Sequence, residues 1–158
     1  MDEAKINCES ALKQPTNRLR NNAVRGECGE AVRGGVHELL IHTTQKEQLI
    51  DITDMVRELI EKVELNEGFV CIYVPHTTAA VCIHRDISQE KTSRLTELLG
   101  QFNSVISDSP EYTKAALVAP TEVLLVKDGK LLMDDDQRII FYEFDGPKDR
   151  RVYVYLSE

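Results

Sequence analysis

Four stretches of this 158-residue chain carry side chains able to do chemistry. The first is Pro75-His76-Thr77-Thr78-Ala79-Ala80, which interrupts an apolar run. A histidine titrates near neutrality, so His76 at a strand end can act as general acid or base, or as a metal ligand. Thr77 and Thr78 put hydroxyls beside it. Spacing alone favours a plainer role, a histidine tying down a strand end through a backbone hydrogen bond. The second stretch is Glu143-Phe144-Asp145-Gly146-Pro147. Carboxylates at i and i+2 of a strand share a face and can hold a cation or divide acid and base roles. Here too the plainer reading leads: Asp-Gly-Pro is ordinary turn chemistry and Glu143 a surface residue. The third, Met133-Asp134-Asp135-Asp136-Gln137, suggests a divalent cation. Consecutive side chains cannot all converge, no EF-hand spacing surrounds them, and a solvated acidic loop is the better account. The fourth is the scattered set His37, His42 and His84, which has no H-x-H or H-E-x-x-H spacing. The chain has no P-loop, G-x-G-x-x-G or G-x-S-x-G motif.

The elements that must position these groups read as follows. Residues 36–43 form a strand, 44–47 a polar turn, and 48–53 a second strand. Thr53 is placed to cap a helix whose apolar face is Met55, Val56, Leu59, Ile60 and Val63. Asn66-Glu67-Gly68 is expected to end it. Phe69–Val74 is a near-continuous run of β-formers, hence a central strand, and Ala79–Ile83 continues extended. A second amphipathic helix is expected over 88–102, with Ser88 as its cap and Gly100 near its end. Residues 103–112 read as loop, and 113–118 as a short helix or strand. The last third is β-rich, with a hairpin turning at Asp128-Gly129 and strands over 138–144 and 151–156. Late antiparallel hairpins mixed with two main helices argue an α+β fold built on a largely antiparallel sheet sandwich.

Composition bounds the rest. The length allows one core and not two ordinary domains. Hydrophobic content of 42% and charged content of 29% are those of a globular protein. No apolar run spans a bilayer, and the polar start has no secretory h-region, so a cytoplasmic protein without membrane contact is expected. A net charge of −8 disfavours nucleic-acid binding. Cys8, Cys28, Cys71 and Cys82 form no C-x-x-C pair and read as buried small hydrophobes in a reducing compartment. Residues 1–35 lack periodicity and end in Gly34-Gly35. They read as a flexible extension with a transient helix near Cys8–Lys13, or as an arm that clasps an oligomer, ahead of a domain over 36–158.

Three segments taken together resemble the YjbQ family of secondary thiamine-phosphate synthase-like proteins. LIHTTQKEQLIDITDMV is similar to the family's opening, VPHTTAAVCI to its H-T-T-A signature, and DGKLLMDDDQRIIFYEFDGPKDRRVYV to its C-terminal block. Order and spacing match over residues 36–158. The resemblance implies a homotrimer and a pocket lined by His76, further histidines and the acidic turn. It implies transfer chemistry that joins a pyrimidine pyrophosphate to a thiazole phosphate. It leaves a divalent cation open as cofactor and a small phosphorylated molecule as ligand.

The departures fall on the motifs. His84 and Arg85 stand where the family has Asn and Glu, so Arg85 reverses a charge. Tyr112 replaces a histidine, and a loop histidine has no counterpart. Asp134 and Asp136 replace Gly and Trp, and Lys148 an Arg. His76, Thr77, Thr78, Lys114, Gln137, Glu143 and Asp145 remain. Loss of two of three expected histidines leaves no metal ligand set to assign. Two readings follow. One is a diverged member with lost or altered catalysis, serving as a trimeric scaffold, a ligand-binding module or a partner of an active paralogue. The other is a working enzyme, with His76, Glu143 and Asp145 catalytic and Thr77, Thr78, Arg85, Lys114 and Gln137 binding ligand. The missing histidines favour the first. In the second, His84 would turn toward His76.

Overall fold

The computed structural model of the chain describes residues 19–20, 34–85, 94–105 and 108–158. Its elements, in chain order, are β1 (Leu19–Arg20), β2 (Gly34–His42), β3 (Gln48–Asp51), α1 (Thr53–Lys62), β4 (Gly68–Tyr73) and β5 (Ala79–Arg85), then α2 (Arg94–Val105), α3 (Pro110–Val118), β6 (Thr121–Lys127), β7 (Lys130–Leu131), β8 (Gln137–Glu143) and β9 (Asp149–Ser157). The strands form a larger sheet in the order β1-β2-β9-β4-β6-β7 and a smaller one in the order β3-β8-β5. Every pairing among the described residues is antiparallel. The fold is α+β.

Period-2 alternation decides what each strand buries. On β9, Arg150, Val152, Val154 and Leu156 turn inward, while Arg151 and Tyr155 turn out. Leu39, Ile41, Ile72, Val152 and Val154 of the large sheet meet Val81, Ile139 and Phe141 of the small one, and Val56, Leu59 and Ile60 of α1 join the same core. The far face of the small sheet carries Ala80, Ile140 and Tyr142, covered by Leu99 of α2 and by Ala115 and Val118 of α3. The layers therefore run large sheet, core, small sheet, helices.

Several local expectations are corrected. The segment read as a short helix or strand is a third helix, α3, which starts earlier, in what read as loop. Pro110 opens α3, a position where its missing N–H costs nothing, and Lys114, Ala115 and Val118 form its buried side. Thr53 does not cap α1. Ile52 is the cap residue, and the Thr53 hydroxyl instead accepts the N–H of Ile139 on β8 at 2.9 Å. α1 ends at Lys62, with Glu64 in the left-handed region at φ 55°, before Asn66-Glu67-Gly68 is reached. Gly68 serves β4 instead, because a Cβ there would run into the Ser157 carbonyl. α2 continues past Gly100 to Val105. The Asp128-Gly129 turn forms as expected, both residues having positive φ, between Lys127 and Lys130. Of the N-terminal extension, β1 pairs with β2 at Leu19↔Leu39 and Arg20↔Glu38. The transient helix near Cys8–Lys13 and the Ser88 cap lie outside the described residues.

Candidate functional site

The β8–β9 connection is where the predicted site residues gather. Glu143 ends β8 on the inward face, after Ile139 and Phe141, and Arg150 opens the inward face of β9. A buried arginine needs a carboxylate, and the last residue of β8 supplies one. Arg150 donates from Nε to Glu143 Oε2 at 2.7 Å and from Nη2 to Glu143 Oε1 at 2.6 Å. Thr43 Oγ1 lies 3.2 Å from Oε2 and 3.0 Å from the Lys148 carbonyl, so its single proton serves one or the other, and the Asp145 N–H donates to Oε1 at 2.9 Å. A carboxylate offers about four acceptor positions, and Arg150 and the Asp145 amide take three of them. Arg150 Nη2 also donates to Thr78 Oγ1 at 2.8 Å, bringing the first motif to the second. Burial pushes the Glu143 pKa up, but the hydrogen bonds from Arg150 and Asp145 outweigh it and hold the carboxyl below its usual range.

His76 sits at the edge of this cluster. Its Nε2 lies 3.1 Å from both the N–H and the carbonyl of Arg151, so the tautomer decides which hydrogen bond is made. Burial first, and the charge of Arg150 second, lower its pKa, which keeps the ring neutral at physiological pH. Asp145 is ion-paired with Lys148, which lowers its pKa, and Thr77 is exposed. The turn is seated on the loop after β2. Gly146 donates to the Lys46 carbonyl at 2.9 Å, and a Cβ on it would strike the Gln45 carbonyl. The Gly146–Pro147 peptide is cis.

The remaining predicted residues lie elsewhere. His84 Nδ1 donates to the Arg85 carbonyl at 2.7 Å, which leaves Nε2 to accept the Tyr142 hydroxyl at 2.8 Å. Tyr142 and Glu143 are consecutive on β8 and face opposite ways, so His84 does not turn toward His76. Arg85 pairs with Asp136 at 3.0 Å, and Gln137 Oε1 accepts the Asp134 N–H at 2.9 Å, so both brace the acidic loop. Asp134, Asp135 and Asp136 are exposed. Tyr112 is 52% exposed and fills no pocket. Lys114 is buried under the helical layer and donates to Glu47 Oε1 at 2.8 Å. Among the described residues no three His, Cys, Asp or Glu side chains gather as a metal site. Sequence reasoning missed Arg150, Thr43 and Glu47. The signal for Arg150 was present: it shares the inward register of Val152, Val154 and Leu156.

Comparison with known proteins decides the family. A family model described as UPF0047 protein YjbQ-like matches residues 37–158. This chain belongs to the YjbQ family. It is 34% identical over 123 residues to the UPF0047 protein MJ1081 of Methanocaldococcus jannaschii, covering 73% of this chain and 89% of that one. It is 29% identical over 126 residues to the UPF0047 protein YugU of Bacillus subtilis, covering 75% and 96%. Solved structures agree. A structural-genomics target from Clostridium acetobutylicum superposes with a TM-score of 0.70 at 31% identity, over 78% of this chain and 100% of that one. Hypothetical protein APE1520 from Aeropyrum pernix gives 0.69 at 28%, over 78% and 99%. These matches identify the YjbQ domain and carry no assigned reaction. No helix among the described residues is long and apolar enough to cross a membrane.

Proposed function

We propose that this YjbQ-family protein is a trimeric ligand-binding or scaffolding member whose catalysis is lost or altered. One observation carries the reading. Both oxygens of Glu143 accept from Arg150, and Oε1 also from the Asp145 amide, so the carboxylate is a structural anchor and not a free acid or base. His76 and Asp145 have chain partners too. Assembly has support in the large sheet, whose outer face shows Val36, Tyr73, Val123, Leu125 and Tyr155 at 42–60% exposure. A shallow apolar cavity of about 380 Å³ lies there among Val36, Cys71, Tyr73, Tyr153 and Tyr155. Contiguous apolar surface of this kind marks an interaction face.

A second reading has an observation of its own. A neutral, half-buried His76 is fit to accept a proton, as a thiamine-phosphate synthase-like transferase would require. The deciding test supplies pyrimidine pyrophosphate, thiazole phosphate and a divalent cation to the purified chain and to His76→Ala. The proposal expects no thiamine phosphate from either. Turnover by the wild type that disappears in His76→Ala would establish the enzyme instead. Sedimentation at micromolar concentration should give three copies, and a monomer would remove the trimer from both readings.

A further inference from the structure

Lys114 is one of the largest fully buried side chains of the chain, at 1% exposure, and it carries a charge. A buried ammonium needs an anion. Its anion is Glu47 Oε1, at 2.8 Å, and Asn103 Nδ2 of α2 reaches the same oxygen at 3.4 Å. The Phe144 ring lies beneath the ammonium, 5.9 Å away at its centroid. Two donors from two helices thus converge on one oxygen over an aromatic floor. The donors are set in the helical layer, but the acceptor is not: Glu47 belongs to the loop between β2 and β3, and its side chain is 44% exposed.

We infer that Lys114 and Asn103 form an oxyanion site, that Glu47 is its internal occupant, and that a small phosphate- or carboxylate-bearing ligand takes the place of Glu47. A half-exposed carboxylate on a surface loop can return to water at little cost, whereas Lys114 must keep an anion. Exchange therefore leaves the ammonium paired and frees the loop. The same loop holds the β8–β9 turn through the Lys46 carbonyl and Gly146 N–H, so occupancy at Lys114 is felt at the Glu143–Arg150 cluster. This deepens the ligand-binding reading by naming the chemistry of the ligand. Its test reads anion exchange and not turnover, so either can fail alone.

The experiment titrates inorganic phosphate, and separately acetate, into the wild type, Glu47→Gln and Lys114→Met, followed by calorimetry and thermal unfolding. A tethered carboxylate competes at a high effective concentration, so Glu47→Gln should bind phosphate about tenfold or more tighter than the wild type. Lys114→Met should abolish the binding. Phosphate tighter than acetate assigns a phosphoryl ligand, and the reverse a carboxylate. Equal phosphate affinity in wild type and Glu47→Gln, or binding that survives Lys114→Met, overturns the inference. If Glu47→Gln does not fold in plain buffer, recovery of the fold by phosphate supports the site. Failure to recover, with Glu47→Asp folded and binding phosphate no tighter than wild type, rejects it.

Discussion

Among the described residues two ion pairs have a buried cation, Arg150–Glu143 and Lys114–Glu47, and they differ in what they leave free. At Arg150–Glu143 the side chains are 8% and 0% exposed, the contact is bidentate, and Thr78 and the Asp145 amide add hydrogen bonds to it. At Lys114–Glu47 the lysine is 1% exposed but the glutamate 44%, and one oxygen does the pairing. Burial of both partners makes the first pair part of the framework. Burial of only one makes the second exchangeable. Removing either member of the first pair strands a charge, whereas in the second the cost depends on which member goes.

The largest effect should come from Arg150→Met. It leaves Glu143 buried and unpaired, and equilibrium denaturation should show a loss of about 3–5 kcal/mol. A loss below about 1 kcal/mol would mean that the two pairs are alike. Acid should narrow that loss. The folded pKa of Glu143 is lowered, so its contribution is complete at neutral pH and fades as pH falls through the acid range beneath the ordinary glutamate value. In Arg150→Met the unpaired carboxyl prefers its proton, so the gap between the proteins closes as pH drops. A constant gap from neutrality to acid would place the pair's strength somewhere other than charge.

Gly146→Ala should come next, at roughly 2 kcal/mol, because the new Cβ meets the Gln45 carbonyl and unseats the loop. Amide exchange should then rise over residues 43–47. Lys114→Met should be nearly neutral, within about 1 kcal/mol, since Glu47 can rehydrate and the methionine fills the apolar site. A severe loss there would show that Glu47 is held as tightly as Glu143. The smallest effect belongs to Lys148→Met. Its pair with Asp145 is half exposed on both sides, and the change should stay within about 0.5 kcal/mol.

Much of the fold was legible from local pattern. The alternation in β9, the apolar run of β4 and the Asp128-Gly129 turn each report a geometry that neighbouring residues determine by themselves. α3 was less legible, because Pro110 and a short apolar face look like loop until α2 and the small sheet give that face something to cover. The site was partly legible. His76, Thr78 and Glu143 stood out as residue types in a motif, and their partners did not.

By itself the sequence determined α1, α2, the main strands, the turn between β6 and β7, and the resemblance that the family match confirms. Only the tertiary structure decided that Thr78 and Arg150, 72 residues apart, share a hydrogen bond. It alone turned the Thr53 hydroxyl from a helix cap into a ligand of β8, and it alone buried Lys114 against Glu47, 67 residues away. The physical reason is the same in each case. Backbone geometry is set over a few neighbouring residues, but a buried charge or hydroxyl takes whichever partner the packed sheets bring within about 3 Å.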